Sequence, residues 1–478
     1  MLDSVLIMLR VPAWIGVFTA LLKTNSDPDL WGHLRFGLDA LAARRLTTID
    51  PYSYTSDIPW LNHEWLSEVT IAVAYRAFGP AGLIMVKIAL TVGAFALLAP
   101  VLRRAPELWR WPSAFLAVLG IVPIALTVRP QLWTMFFVVL LCRILNGTPS
   151  RRWVLPFVLV VWANVHGGWI VGVGIVWLWS LVESVAGAKG RPSLWITLGV
   201  PLACTLATLV NPYGVRLWIF IAETVRLSRA NIVEWQPVWR ESIGTVVLWL
   251  LAVGWTAVAI RRATVWRPQA FAVLAVFAFA SLRVNRLLPL FIPMSIVLLL
   301  PYVQQPLAVR AWPRGRLLVD VALICTGVLL LAWPGSTGCI RMQGSWLPDI
   351  DAARALAAAR PTGRMATWFD WGEYAIWHFG PAAKVSLDGR RETAYSDDQL
   401  ARQVAIAFGE PAGLEELARS APEYVWLPTA RSERTRGWLR AHNYRIDVET
   451  PDSFVAVRQE LPMVKPALSL ATPCFPGL

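Results

Sequence analysis

The sequence predicts a mainly α-helical, polytopic membrane protein: a bundle of about eleven spans, followed by a small α/β domain outside the membrane. Three observations predict it. Hydrophobic residues make up 56% of the 478 positions and charged residues only 16%, with 27 tryptophans, a composition far from that of soluble domains. Apolar runs of bilayer length recur through residues 1–335. From about residue 340 the chain turns polar and alternates strand-like with helix-like segments.

The apolar runs cover residues 5–22, 80–101, 113–128, 131–145, 152–166, 168–187, 192–210, 244–260, 268–282, 286–301 and 317–333. Several fall short of the ~20 residues that cross a bilayer upright, which predicts broken, tilted or shielded helices. The first run contains Arg10 and no A-x-A cleavage pattern follows it, so it reads as a retained signal anchor. Residues 29–45 and 63–78 are amphipathic and suit the membrane interface, inside an outer loop spanning 23–79.

A formal net charge of +13 would suggest nucleic acid in a soluble protein. Here the basic residues sit in short loops: Arg103, Arg104 and Arg110; Arg151 and Arg152; Lys189 and Arg191; Arg261, Arg262 and Arg267; Arg310, Arg314 and Arg316. All lie on alternate connections, which makes that face cytoplasmic. The charge is therefore topological and implies no nucleic-acid partner. The expected location is the cell (inner) membrane, multi-pass, with the N-terminus inside and the 340–460 domain outside.

The same count brings Asp27, Asp29, His33, His63, Glu64, Arg129, His166, Asn211, Glu234, Arg283 and Arg286 to the outer face. Polar groups at membrane depth are costly and are usually retained for function. In "DPDLWGHLRFG" the carboxylates of Asp27 and Asp29 can bind a cation or take a proton; Asp-Pro-Asp also makes a turn, with Asp29 capping the next helix. "NHEWLSE" lacks the second histidine of H-E-x-x-H because Ser67 stands there, but His63 and Glu64 keep ligand or acid/base chemistry. "NVHGGW" puts His166 at a helix end. In "ANIVEWQPVW" Glu234 stands among aliphatic and indole groups, as a site acid or as one charge in an aromatic belt. "RVNR" offers Arg283 and Arg286 as a bidentate phosphate clamp or as snorkelling cations.

In the polar tail, "GRMATWF", "AKVSL", "YVWLP", "YRIDVE" and "SFVAVR" read as strands and four intervening or preceding segments as helices. "TWFDWGEYAIW" follows the first strand, so Asp370 between aromatic rings either binds a polar group or caps the following helix. A Pro-rich tail, 461–478, ends the chain. Cys142, Cys204 and Cys325 lie in apolar runs and read as inert. Cys339 and Cys474 are placed outside, where a disulfide would persist; a bridge and a free thiol both remain open.

Three of these stretches, in order, resemble the catalytic subunit of oligosaccharyltransferases, members of the GT-C membrane glycosyltransferases. The family's first-loop aspartate, aromatic, histidine and arginine match Asp29, Trp31, His33 and Arg35. Its T-I-x-E motif matches Ile232 and Glu234, and its W-W-D-Y-G motif matches Trp368, Phe369, Asp370, Trp371 and Gly372. The family's second acidic motif has no counterpart; "VRPQ", with Arg129, stands there. The resemblance thus implies the superfamily without implying protein N-glycosylation.

The resemblance implies transfer of a sugar or glycan from a polyprenyl-(pyro)phosphate donor, in contact with membrane lipid, to a glycan, lipid or protein acceptor. Asp29, Asp27, Glu234, His33 and Glu64 would be catalytic, and Asp29, Glu234 and His166 would hold Mg or Mn. Arg283, Arg286 and Arg129 would take the donor phosphate, with Trp368, Asp370 and Trp371 on the acceptor. The competing class is a transporter or lipid-handling protein, which would carry midplane polar groups and inverted repeats; no repeat is visible here.

Overall fold

The computed structural model describes residues 2–186, 193, 195–226, 233–304, 338–466 and 473–478. The chain packs as two compact units. One is Met1–Thr24 with Leu83–Gly338; the other is Asn25–Gly82 with Cys339–Leu478. The loop 25–82 and the C-terminal segment therefore share one body, although hundreds of residues separate them.

The helices of the first 304 residues are α1 (Leu2–Leu22), α2 (Leu30–Ala43), α3 (Trp65–Phe78), α4 (Pro80–Arg104), α5 (Glu107–Ala125), α6 (Gln131–Leu145) and α7 (Leu155–Val165), then α8 (Trp169–Val185), α9 (Val200–Ala207), α10 (Val215–Arg226), α11 (Ile243–Arg261), α12 (Pro268–Arg283) and α13 (Leu288–Leu299). Gly79, at φ 60°, ends α3 with its N–H donating to the Tyr75 carbonyl, and Pro80 starts α4, a stop and start that fit each residue's backbone.

The first ten predicted runs all contain helix, but eleven full spans are not what the described residues show. Among them four segments are long and apolar enough to cross a membrane: Pro80–Arg104, Glu107–Ala125, Ile243–Arg261 and Asn285–Tyr302. Leu9–Leu22, Gln131–Leu145, Trp169–Val185, Trp195–Ala207 and Pro268–Arg283 are apolar but shorter. The 152–166 run begins as a 3₁₀ turn, Pro149–Val154, and its helix stops where His166 turns extended. The 192–210 run opens as a π-turn, Trp195–Gly199. The 317–333 run and Cys325 lie outside the described residues.

In the helical unit α13 is the central element. Every residue of it but Pro289 is buried, as expected of a helix apolar on all sides, and it packs on α5, α6, α11 and α12. Buried charge is paired: Arg152, 2% exposed, holds Glu183 through two bonds of 2.5 and 3.0 Å. Lys87 donates to the Ala20, Leu21 and Lys23 carbonyls at 2.7, 3.3 and 2.7 Å. It thereby satisfies orphan carbonyls at the end of α1, just before the chain enters the Asp27–Asp29 turn.

The second unit is built on a five-stranded sheet of order β2-β1-β3-β5-β4, with β1 (Gly363–Thr367), β2 (Ala383–Val385), β3 (Tyr424–Pro428), β4 (Tyr444–Glu449) and β5 (Ser453–Arg458). β1 runs parallel to β2 and β3; β5 is antiparallel to β3 and β4. Parallel neighbours need helical crossovers, supplied by Gly372–Phe379 between β1 and β2 and by Asp397–Phe408 and Pro411–Ser420 before β3. All five strands lie within the segments read as strands from sequence. Val425, Leu427, Phe454 and Ala456 pack with Ile406, Leu417 and Leu439 in the core.

The loop 25–82 joins this sheet at the β2 edge. Tyr54 N–H donates to the Val385 carbonyl (3.1 Å) and Val385 N–H to Tyr52 (3.0 Å). Arg390 locks the same region, pairing with Asp388 (2.6 Å) and Asp50 (2.8 Å) beneath the rings of Phe36, Tyr52 and Trp60. Burial alone would push the Asp388 carboxyl up, but the adjoining Arg390 guanidinium holds it below the usual range.

Candidate functional site

α2 carries the site's first elements, and the C-terminal segment sets its position. Cys339 and Cys474 are bridged, with Cα atoms 5.1 Å apart, which settles the alternative left open by the sequence. The bridge holds the tail so that the Pro476 carbonyl accepts from Trp31 Nε1 (2.9 Å) and His378 Nε2 (3.0 Å). Burial, partly offset by this bond, lowers the His378 pKa to about 4 and keeps that ring neutral. Phe475 is 2% exposed and its ring meets Trp31, Tyr75 and Trp377.

At the N-terminus of α2, Asp27 Oδ1 accepts the Asp29 N–H (3.0 Å), an Asx turn that orients the entry to the helix. Gly32 N–H donates to Glu373 Oε2 (3.1 Å). The backbone of Gly389 comes so close that a Cβ there would lie 2.5 Å from Asp29 Oδ1 and 2.8 Å from Glu373 Oε1. Any larger residue there would push one of these carboxylates aside. Glu373, 3% exposed, has its pKa raised well above the carboxylate norm by burial and by the Asp29 charge, with His33 opposing.

His33 lies one residue beyond Gly32 and meets two carboxylates. Its Nδ1 bonds Glu68 Oε1 at 3.1 Å, and its Nε2 stands 3.8 Å from Glu64 Oε2. Glu64 also faces His63 Nε2 at 3.5 Å, and Glu68 accepts from Asn62 (2.5 Å). Burial pulls the His33 pKa down, but the Glu68 bond and the Glu64, Glu68 and Glu373 charges outweigh it and raise it to about 10. At neutral pH His33 is thus an imidazolium set among carboxylates.

Because the folded value exceeds the ordinary 6.5, this pairing adds stability that is complete below about pH 6.5 and is lost as pH rises through about 10. The thermal midpoint of the purified protein should therefore fall across that window. The His33→Gln variant should show a flatter profile; an equal fall in both proteins would assign the effect to other groups.

The remaining expected residues fall in three places. Trp371 is buried against Trp426 (5.0 Å between centroids), with its indole N–H on the Trp346 carbonyl. Asp370 accepts from Trp368 Nε1 (3.2 Å), and Arg431 lies over the Trp368 ring. Burial raises the Asp370 pKa, with Trp368 and Arg431 opposing. Thus Glu373, one turn beyond Asp370, is the member of that motif placed against Asp29. Its sequence signal was present as the next residue after "WFDWG", an acid at the start of a helix otherwise apolar.

In the helical unit Glu234 lies between two arginines, 3.3 Å from Arg129 Nη1 and 3.3 Å from Arg286 Nη1. Arg286 stands over Trp235 and Arg283 over Trp239. His166 Nδ1 bonds Thr134 Oγ1 (2.6 Å) and accepts from Gly168 N–H (3.1 Å), while Trp162 donates to the same Thr134. Asn211 turns its amide onto the Thr208 carbonyl (2.6 Å). Asn231 and Ile232 lie outside the described residues. Among those described, no group of three or more His, Cys, Asp and Glu side chains could hold a metal ion, so the expected Mg or Mn ligand set is not assembled there.

No known family's sequence profile matches the chain, and no curated protein sequence is significantly similar to it. Its fold is similar to that of ArnT from Cupriavidus metallidurans bound to undecaprenyl phosphate: TM-score 0.56 and 14% identity over 97% of this chain and 99% of that one. It is also similar to the Archaeoglobus fulgidus oligosaccharyltransferase in the apo form, at TM-score 0.53 and 11% identity over 88% and 69%. The archaeal oligosaccharyltransferase AglB from Archaeoglobus fulgidus, in complex with an inhibitory peptide and a dolichol-phosphate, gives 0.50 and 12% over 95% and 75%. At identities this low the likeness shows the fold alone.

Proposed function

We propose that this chain, which has the fold of the GT-C membrane glycosyltransferases ArnT and AglB, moves a sugar or glycan from a polyprenyl-phosphate-type donor to an acceptor at the outer face of the membrane. The observation that carries the reading is the Asp29 cluster: a carboxylate at a helix start that meets the buried Glu373 at the Gly389 backbone, with the His33 cation one turn along the helix. Fold alone would not assign chemistry; a carboxylate set against a buried acid of raised proton affinity is what proton transfer can use.

In the proposed reaction an acceptor hydroxyl attacks the anomeric carbon of the donor. Its oxygen forms the new glycosidic bond and its proton passes to Asp29. The bond from the sugar to the phosphate oxygen breaks, and its electron pair stays on the phosphate. His33, bonded to Glu68 and 3.8 Å from Glu64, supplies a cation one turn along the same helix. Arg129 and Arg286, already gathered by one carboxylate in the helical unit, suit a lipid phosphate, where guanidinium pairs stabilise developing negative charge.

ArnT binds undecaprenyl phosphate and AglB a dolichol-phosphate, which supports a polyprenyl donor, membrane lipid and a separate acceptor as partners here. The loop arginines support a cytoplasmic N-terminus and an outside C-terminal segment. Lipid-linked glycan analysis of cells lacking this protein tests the reading. A polyprenyl-linked sugar should accumulate, and wild-type protein should clear it; unchanged lipid-linked pools would overturn the proposal.

A further inference from the structure

Asp29 holds the N-cap position of α2, yet its side chain makes no capping bond, and its backbone (φ −84°, ψ −11°) is helical where a cap is usually extended. An N-cap aspartate ordinarily turns over the helix end to accept the N2 or N3 N–H. Here the N3 N–H, that of Gly32, goes to Glu373 Oε2 (3.1 Å), 341 positions away in sequence. Gly389 closes the remaining side against both carboxylates, and the Asp388–Arg390–Asp50 pairing holds Gly389 in place.

We propose that Glu373 is a positioning residue: it caps α2 in place of Asp29 and so keeps the Asp29 carboxylate turned off the helix end. Without that acceptor, Gly32 N–H becomes an orphan at a buried helix start. The nearest replacement is Asp29, which would satisfy the helix by leaving its working position. Displacements of this size are costly for a group that must meet a reacting atom. The inference rests on Asp29 acting as the acceptor's base.

Steady-state kinetics and thermal unfolding of Glu373→Ala, Glu373→Gln and Asp29→Asn, purified in lipid nanodiscs with a polyprenyl-phosphate-linked sugar, test it. Glu373→Ala should lower kcat by about 10- to 100-fold with little change in donor KM. Its thermal midpoint should drop only slightly, because Asp29 takes over the cap. Glu373→Gln, whose side-chain oxygen still accepts from Gly32, should recover most of kcat. A Glu373→Ala enzyme with full kcat, alongside an inactive Asp29→Asn, overturns the positioning role and leaves the proposed function standing. Wild-type turnover in Asp29→Asn overturns the function reading itself. Should Glu373→Ala not fold, Gly389→Ala carries the test, since its methyl falls against both carboxylates; an unchanged kcat there overturns the proposal.

Discussion

Replacing Asp29 with asparagine should reduce glycosyl transfer by ~10²- to 10⁴-fold, the range expected for losing a positioned proton acceptor, while folded protein accumulates as in wild type. Asparagine keeps the shape of aspartate and its acceptor oxygen, so the turn and the contact with Gly389 persist. What it lacks is proton affinity. Stability should hold or improve, because the Asp29 charge presses on the buried Glu373 and its removal relieves a like-charge interaction. Transfer measured with a polyprenyl-linked sugar decides the matter: turnover equal to wild type would end the mechanism. A protein that no longer folds would instead make Asp29 a structural residue.

The same relief is not expected at Glu234. From sequence Glu234 is a site acid or one charge in an aromatic belt; in the fold Arg129 and Arg286 both hold it. Its neutralisation would leave two guanidiniums facing each other. Asp29 and Glu234 are alike in sequence and opposite in surroundings.

The second large effect should follow loss of the Cys339–Cys474 bridge. It closes a loop of 135 positions, and by the chain-entropy model such a crosslink contributes about 4 to 5 kcal/mol, less any strain. More is at stake than loop entropy. The tail beyond the bridge carries Phe475 into the Trp31, Tyr75 and Trp377 rings and the Pro476 carbonyl onto Trp31 and His378. Those contacts steady α2, which bears Asp29. The Cys339→Ser, Cys474→Ser double variant should unfold well below wild type, and reductant should lower the wild-type midpoint toward it. Non-reducing mass mapping should recover the linked peptides. A Cys474 that alkylates without reduction would refute the bridge.

Much of the architecture was legible in the residues themselves. Apolar length marked the helices, period-two runs marked the strands, and the change at about residue 340 marked the polar segment, because each is a local signal repeated over many positions. The Asp27–Asp29 turn and the two amphipathic helices were equally local. How many apolar helices are long enough to cross the membrane was not, since 3₁₀ and π turns at Pro149–Val154 and Trp195–Gly199 shorten runs whose composition is continuous.

Tertiary structure alone decided which acid stands beside Asp29. From sequence Asp370, framed by aromatic rings, is the acid singled out in that motif, for an acceptor or as a helix cap; the helix starting at Gly372 turns Glu373 toward Gly32 and leaves Asp370 with Trp368. Tertiary structure also decided that the loop 25–82 packs with the C-terminal segment as one unit, that Cys339 meets Cys474, and that His33 stays protonated. Each depends on side chains brought together across long stretches of chain. Periodicity and composition report how a segment meets its own neighbours; proton affinity, pairing and capping are set by whatever the fold places at a distance of 3 or 4 Å.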